Sequence, residues 1–133
     1  MTGTGAGRRI LIVDDEPAIT ESLALIFSRS GYEVRTAHSA EEAIETFAAW
    51  SPDVAVLDVM LPCMNGLDLA VVLRDNHTQC RLVLFSGHQG TQALLEEAAK
   101  KGNMFEILAK PVHPLFMLDY VSSLLAQPAR TAF

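Results

Sequence analysis

Short apolar runs alternate along this chain with longer segments in which apolar residues recur at helical spacing. Neighbouring parallel strands need crossover connections, which helices usually supply, and strands covered on both faces are apolar throughout. The pattern therefore predicts a single doubly wound α/β domain, a five-stranded parallel sheet with helices on both faces. The predicted strands are 9–13, 33–37, 53–57, 81–85 and 105–109, and the predicted helices are 17–31, 39–50, 66–76, 91–102 and 113–126.

Residues typical of helix ends support the first two of these helices. Pro17 lies in the first turn of the first helix, and Gly31 follows its last apolar residues, as is usual for helix starts and stops. Ser39 and Glu42 have the spacing of a capping box, in which the serine accepts from a first-turn amide and the glutamate reaches back. The second helix is therefore expected to begin directly after Ser39.

The composition limits the classes of partner. The 133 residues carry a formal net charge of −6, whereas a nucleic-acid backbone or an anionic membrane would require clustered Lys and Arg. No secretory signal precedes the first strand, and no apolar run approaches the ~20 residues of a membrane span, so a cytoplasmic location is expected. Cys63 and Cys80 are too few for a disulfide framework and are interpreted as reduced thiols.

Polar residues that carry chemistry follow four of the five predicted strands. In open α/β sheets, ligands bind beyond the carboxyl ends of the strands, so these residues are expected to share one crevice. They are Asp14 and Asp15 after the first strand, Asp58 after the third, Ser86 after the fourth and Lys110 after the fifth.

This set of side chains suits a metal ion and a phosphoryl group. Three converging carboxylates would repel one another unless a hard cation were bound, and oxygen ligands are those that Mg²⁺ prefers. A lysine and a hydroxyl opposite the acids, Lys110 and Ser86, are able to hold phosphoryl oxygens. Because a carboxylate also serves as a nucleophile, Asp58, which lies apart from the acidic pair, is the candidate for an aspartyl phosphate.

Four motifs in this order resemble the receiver domains of two-component response regulators. They are "ILIVDDEP", "LDVMLPCMNGLDLA", "LFSGH" and "LAKPV". The resemblance covers almost the whole chain and implies a flavodoxin-like (βα)5 fold with strand order 2-1-3-4-5. It further implies a regulatory phospho-acceptor, not an enzyme with a substrate of its own, whose donor is a sensor histidine kinase or a histidine phosphotransfer protein. A phosphorylation-promoted homodimer would also be consistent with the family.

The same resemblance assigns roles to individual residues. Asp58 corresponds to the phospho-acceptor. Asp14 and Asp15 correspond to acids that bind Mg²⁺ or Mn²⁺ together with Asp58 and the backbone carbonyl of Met60. The switch and phosphate-binding positions are Ser86, Gly87 and Lys110. Pro111 follows a peptide bond that family members hold cis, and the side chains that tune dephosphorylation in the family lie at Met60 and His88.

One position departs from the family pattern. Receivers usually carry Tyr or Phe three residues before the lysine of the fifth strand, and here that residue is Ile107. Phe105 lies on the same face of the strand but about 7 Å further back, too far to take over the role. The phosphorylation site is therefore complete in the sequence, whereas its coupling to the surface of the fourth helix, fifth strand and fifth helix stays open.

Two other functions also stay open. The domain is predicted to occupy 8–127, with flexible tails at 1–7 and 128–133 and no output domain in this chain. Together with Ile107, this favours as an alternative a receiver-like interaction module that acts independently of phosphorylation. A phosphatase of the haloacid-dehalogenase kind also uses an aspartate nucleophile and Mg²⁺, but it needs a second aspartate where this chain has Met60.

Single motifs have simpler interpretations. Asp15 or Glu16 alone is typical of a helix N-terminus, and Glu16 is expected to have no chemical role. The segment "LPCMNG" is a turn sequence that also positions Asp58. Cys63 has no neighbour in the sequence that would clearly activate its thiol, so a redox role is not expected.

Overall fold

A computed structural model of the protein describes residues 7–62, 64–76, 79–86, 96–97, 99–100, 107–109 and 113–126. Its strands form one parallel sheet in the order β2-β1-β3-β4-β5, which confirms the predicted fold class and strand order. The strands are β1 (Arg9–Val13), β2 (Glu33–Ala37), β3 (Val54–Asp58), β4 (Arg81–Ser86) and β5 (Ile107–Ala109).

Four helices accompany the sheet within the described residues. They are α1 (Pro17–Arg29), α2 (Ala40–Trp50), α3 (Gly66–Asn76) and a C-terminal helix (Pro114–Ala126). Within the predicted helix 91–102, the described residues 96, 97, 99 and 100 are helical. None of the helices in the described part of the chain is long and apolar enough to cross a membrane.

The third and fourth strands end one residue later than the sequence predicts. Asp58 is the last residue of β3 and pairs with Phe85, and Ser86 is the last residue of β4 and pairs with Ala109. Neighbouring strands thus extend the ladder past the end of the apolar run, which a hydrophobicity pattern does not report. The two polar side chains are consequently held by sheet backbone, not by loops.

Two apolar clusters lie on opposite faces of the sheet. Alternate residues of β1 point to opposite faces, so that Leu11 packs with α2 and α3 while Ile10 packs with α1 and the C-terminal helix. All four helices therefore cover the sheet as a doubly wound fold requires. The carboxyl edge of the sheet is left as the place where buried polar groups collect.

The ends of α1 and α2 follow the sequence signals closely. Pro17 begins α1, and Gly31 follows its end with a φ of +94°, a conformation that glycine adopts without steric cost. The Ser39 hydroxyl accepts from Glu42 N at 3.2 Å, as the capping box predicts. The Glu42 carboxylate lies 4.0 Å from His38 Nδ1, so the glutamate faces the residue before the cap.

The two cysteines differ in what the structure describes. Cys63 lies outside the described residues. Burial, with a smaller contribution from nearby Asp53, raises the pKa of Cys80 to about 12. A thiol with this pKa stays protonated at neutral pH, and the thiolate is the reactive form. Cys80 is therefore a packing residue whose thiol is a poor nucleophile at neutral pH.

Candidate functional site

The carboxyl ends of three adjacent strands bring Asp14, Asp58 and Ser86 to one edge of the sheet. Val13 pairs with Leu57, so Asp14 and Asp58 each stand one residue beyond a matched pair on neighbouring strands. Their exposed fractions are 0% for Asp14, 3% for Asp58 and 6% for Ser86. Since buried carboxylates are costly unless compensated, this edge is built for chemistry more than for stability.

The acidic turn, residues 14–16, joins β1 to α1. The backbone N of Asp14 donates to Ala37 O at 3.1 Å, and Asp14 Oδ1 accepts from Glu16 N at 2.9 Å. Asp15 and Glu16 are exposed. One carboxylate oxygen from each of these three residues lies within 4.8 Å of the other two. The turn therefore concentrates negative charge at the start of α1, where the helix dipole favours it.

Glu16 lies at the start of α1, as expected for a helix-terminal acid. It occupies the N-cap position of α1, but its side chain makes no capping hydrogen bond. Its carboxylate instead belongs to the acidic group with Asp14 and Asp15. The residue preferences of helix N-termini allow an acid at each of positions 14–16. They do not show that the three carboxylates lie close together.

The acidic turn fits a hard cation by chemistry and spacing. Oxygen ligands about 2.1 Å from Mg²⁺ stand at most about 4.2 Å from one another, so oxygens within 4.8 Å need only small side-chain adjustments. Asp58 lies outside this close group. The close group therefore consists of Asp14, Asp15 and Glu16, and Asp58 is their neighbour on the adjacent strand.

The backbone around Asp58 is fixed by the turn that follows it. Asp58 Oδ1 accepts from Met60 N at 3.2 Å, and Val59 N donates to Phe85 O at 3.1 Å. Gly66 N then donates back to Val59 O at 2.6 Å. The chain between Asp58 and α3 therefore returns to contact the candidate acceptor.

Gly66 is required by this close return. A Cβ atom at position 66 would overlap the Asp58 carbonyl oxygen and lie 2.8 Å from both Asp58 C and Val59 Cα. Asn65 Oδ1 accepts from Asp68 N at 2.8 Å and so caps the helix that Gly66 begins. The pair Asn65–Gly66, a generic turn signal in the sequence, is thus a specific steric fit against the candidate acceptor.

The remaining predicted site residues divide into described and undescribed ones. The Met60 side chain is 38% exposed. Ile107 of β5 pairs with Leu84 of β4. Its partly buried side chain packs against the apolar cluster that includes α2 and α3. The predicted residues that lie outside the described part of the chain are Gly87, His88, Phe105, Lys110 and Pro111.

Sequence reasoning missed a polar contact beside the acidic turn. Thr20 is 1% exposed, and its hydroxyl donates to Pro17 O at 3.0 Å. His38 Nε2 lies 3.1 Å from Thr20 Oγ1. The available signal was local: Thr20 lies with Leu23 and Phe27 on the buried face of α1. A polar residue on such a face has a partner, but the pattern does not tell which one.

Comparison with known families decides between the classes of α/β protein that this edge suits. The family model for the response regulator receiver domain matches residues 10–122. This chain belongs to that family. Receiver domains are regulatory components of two-component systems, and the predicted membership of the receiver family is confirmed.

Relatives of this receiver domain include both single-domain and longer proteins. The chemotaxis protein CheY of Thermotoga maritima is 33% identical over 109 residues, which cover 81% of this chain and 89% of that protein. The response regulator MprA of Mycobacterium ulcerans is 48% identical over 66 residues. The transcriptional regulatory protein TrcR of Mycobacterium tuberculosis is 42% identical over 72 residues. The segments matched to TrcR and MprA cover 54% and 50% of this chain, respectively, and 28% of the length of each of these two relatives.

Solved structures show the same architecture. A CheY-like receiver domain from Methanospirillum hungatei superposes with a TM-score of 0.81 at 26% identity, covering 91% of this chain and 95% of that one. CheY in the CheX–CheY–BeF3–Mg²⁺ complex of Borrelia burgdorferi gives a TM-score of 0.77 at 26% identity, with 93% of each chain covered.

Proposed function

We propose that this receiver domain accepts a phosphoryl group on Asp58 from a phosphohistidine of a sensor histidine kinase or histidine phosphotransfer protein. The observation that carries the proposal is the position of Asp58. It is a nearly fully buried carboxylate on the strand beside β1, next to an acidic turn whose oxygens have cation-binding spacing. Membership of the receiver family supports the same function.

Asp58 would act as the nucleophile of the transfer. One of its carboxylate oxygens forms a bond to phosphorus while the bond from phosphorus to the donor imidazole nitrogen breaks, and the imidazole leaves with the electron pair of that bond. The Met60 amide holds Asp58 Oδ1, and the return of Gly66 onto the Asp58 carbonyl fixes the backbone. The protein thereby supplies orientation, a large part of any such acceleration.

Asp14 and Asp15 would hold Mg²⁺ or Mn²⁺ together with Asp58 and the carbonyl of Met60. The bound cation would neutralise the crowded carboxylates and the charge of the incoming phosphoryl oxygens. Two hydrogen bonds of the protein already orient Asp14. Its Oδ1 accepts from Glu16 N, and its backbone N donates to Ala37 O. Ser86, Gly87 and Lys110 would complete the site as phosphoryl-binding groups.

The proposed readout is a change in the surface of the predicted fourth helix, β5 and the C-terminal helix. We place the functional domain at residues 8–127 and its activity in the cytoplasm. The domain would assist its own phosphorylation and dephosphorylation without having another substrate. A homodimer promoted by phosphorylation is a part of this proposal that gel filtration of the phosphorylated protein tests.

Intact-mass analysis tests the proposal after incubation with acetyl phosphate and Mg²⁺. We expect one phosphoryl adduct on the wild-type protein, mapped to Asp58 after borohydride trapping, and none on Asp58→Asn or in excess EDTA. Asp53→Asn is a matched control, because Asp53 directly precedes β3, at the end of the strand opposite Asp58. An unmodified wild-type protein, under conditions where another receiver reacts, would refute the proposal.

Ile107 favours a second candidate function, an interaction module that does not depend on phosphorylation. The aliphatic side chain packs partly buried against the core cluster, where most receivers have a mobile aromatic ring. Partner binding by Asp58→Asn separates the two functions. Loss of a partner interaction in this variant excludes phosphorylation-independent binding, whereas unchanged affinity with and without acetyl phosphate supports it.

A further inference from the structure

We infer that Thr20 and His38 are positioning residues for the acidic turn, and that their hydrogen bond sets the spacing of the metal-binding acids. The inference rests on the proposed metal site. It concerns two side chains that lie outside the acidic group itself: Thr20 on the buried face of α1 and His38 in the connection between β2 and α2.

Two consecutive residues, the last residue of β2 and the first after it, contact the two ends of segment 14–20. Ala37 O accepts from Asp14 N at 3.1 Å, which fixes the start of the turn. His38 Nε2 lies 3.1 Å from Thr20 Oγ1, in the α1 turn that follows the acids. The segment 14–20 is therefore bridged at both ends to one short stretch of β2.

The second contact of Thr20 is relevant to the direction of this bond. When the Thr20 hydroxyl donates to Pro17 O at 3.0 Å, Thr20 Oγ1 accepts from His38 Nε2 in the tautomer that carries its proton there. His38 is held in turn on its other side, where Nδ1 faces Glu42 at 4.0 Å. A chain of polar contacts thus runs from the start of α2 through His38 to the first turn of α1.

Only one end of this bond is buried. Thr20 is 1% exposed, whereas the His38 side chain is 41% exposed. Loss of the ring therefore removes the second partner of a buried hydroxyl oxygen, which costs part of its desolvation penalty. The turn that the bond restrains carries three carboxylates whose mutual repulsion favours spreading. A restraint at its helical end keeps the acids at cation-binding distance before the cation arrives, which is preorganisation of a site by its supporting residues.

Conservative and disruptive variants at both positions test the inference. Thr20→Val and His38→Ala remove the bond, whereas Thr20→Ser and His38→Gln keep an acceptor and a donor at the two positions. Mn²⁺ binding, measured by electron paramagnetic resonance, is expected to weaken about fivefold in the disruptive variants and to recover in the conservative ones. The double variant Thr20→Val/His38→Ala is expected to bind no more weakly than either single variant.

Amide hydrogen exchange in the metal-free protein gives a second readout. The Glu16 amide, which donates to Asp14 Oδ1, is expected to exchange faster in Thr20→Val than in wild type. Ser22→Ala is the matched control, since Ser22 Oγ donates to Ala18 O on the exposed side of the same helix. It should leave both Mn²⁺ affinity and Glu16 exchange unchanged.

The possible outcomes separate the inference from the proposed function. Equal losses in Thr20→Val and Thr20→Ser, or additive losses in the double variant, would overturn the positioning role. If the wild-type protein bound no Mn²⁺, the proposed metal site would fail. Unchanged Glu16 exchange in Thr20→Val would then overturn the restraint on the turn, and faster exchange would support it. If Thr20→Val did not fold, the pair His38→Ala and His38→Gln would decide by the same two measurements.

Discussion

The two ends of the sheet handle charge in opposite ways. At the amino end, Arg9 Nε lies 3.9 Å from Glu33, Arg9 N donates to the Asp53 carboxylate at 2.8 Å, and the Arg9 side chain donates to Trp50 O. The guanidinium groups of Arg9 and Arg35 also lie 5.6 and 4.9 Å from the centroid of the Trp50 ring. At the carboxyl end, by contrast, carboxylates of one sign gather within 4.8 Å.

This difference indicates that the amino end of the sheet contributes to stability and that the carboxyl end contributes to function. Opposite charges and a cation–π pair stabilise the amino end modestly. Within the described residues, the three close carboxylates of the acidic turn repel one another, and such crowding is typical of functional sites. Changes at the amino end should therefore alter unfolding but not metal binding, whereas loss of an acid at the carboxyl end should weaken metal binding and stabilise the metal-free protein.

The largest expected effect is the suppression of Cys80 reactivity near the amino end. With its pKa raised to about 12 by burial, the thiolate fraction at pH 8 is about a thousandfold below that of an ordinary cysteine. In a Cys63→Ser background, iodoacetamide should label Cys80 slowly in native protein and rapidly in urea. Labelling at equal rates in both conditions would show that this end is open.

The same pKa gives a pH dependence with a defined sign. Above pH 9 the unfolded thiol loses its proton while the folded one keeps it, so the folded state binds more protons. The free energy of unfolding should therefore fall as the pH rises from about 9 towards 12. Comparison with Cys80→Ala isolates this contribution, since the variant lacks the titrating group.

Asp15→Ala should separate metal binding from stability at the carboxyl end. Loss of a metal ligand is expected to weaken Mg²⁺ binding by about a hundredfold or more, since even outer partners contribute about 10- to 100-fold. The metal-free variant should be about 1 kcal/mol more stable because repulsion is relieved. Glu45→Ala, an equal charge change on exposed α2, is the control. Intact metal binding by Asp15→Ala would remove the acidic turn from the site.

Gly66→Ala should damage both properties at once, because the added methyl meets the Asp58 backbone. Overpacking against backbone is expected to cost about 1–3 kcal/mol in denaturant unfolding, and the displaced Asp58 should be phosphorylated more slowly. Gly7→Ala adds the same methyl where nothing lies within 4 Å. Because Gly7 has a φ of +73°, the alanine should still cost about 1–2 kcal/mol of stability through backbone strain. It should have no effect on phosphorylation. Normal phosphorylation of Gly66→Ala would contradict the steric account.

Substitutions of the two arginines at the amino end should have the smallest effects and change only stability. The larger of the two effects is expected for Arg9→Met. It keeps the aliphatic stem but removes the contacts to Glu33 and Trp50, at an expected cost of about 1 kcal/mol. Arg35→Met, which loses the position over the Trp50 ring, should cost about 0.5 kcal/mol. Mn²⁺ affinity should stay unchanged in both variants. A change in that affinity would mean that the two ends of the sheet are coupled.

Local patterns predicted the sheet well because each strand carries its own signal. The bounds of β1 and β2 agree with the predicted ones, and α3 spans the predicted 66–76. The ends of β3 and β4 were predicted one residue short, since Asp58 and Ser86 join the ladder through neighbouring strands. A strand's last residue is decided by its partner, which the pattern along one segment does not contain.

The site was predictable as a set of residues but not as an arrangement. Asp14, Asp58 and Ser86 lie at one edge as the topology implies. The place of Glu16 in the acidic group, the steric need for Gly66 and the bond between Thr20 and His38 were not predicted. Each depends on the approach of segments distant in sequence, or on side-chain directions within a turn, and neither is encoded in residue spacing.

An NMR titration with beryllofluoride and Mg²⁺ tests the central claim most directly, because this anion takes the place of a phosphoryl group on a carboxylate. We expect large backbone amide shifts at the carboxyl end, at Glu16, Val59 and Ser86, while the indole signal of Trp50 at the amino end stays in place. Asp58→Asn should abolish the shifts. Unchanged spectra, or equal shifts in Asp58→Asn, would contradict a phosphoryl-accepting site at this edge.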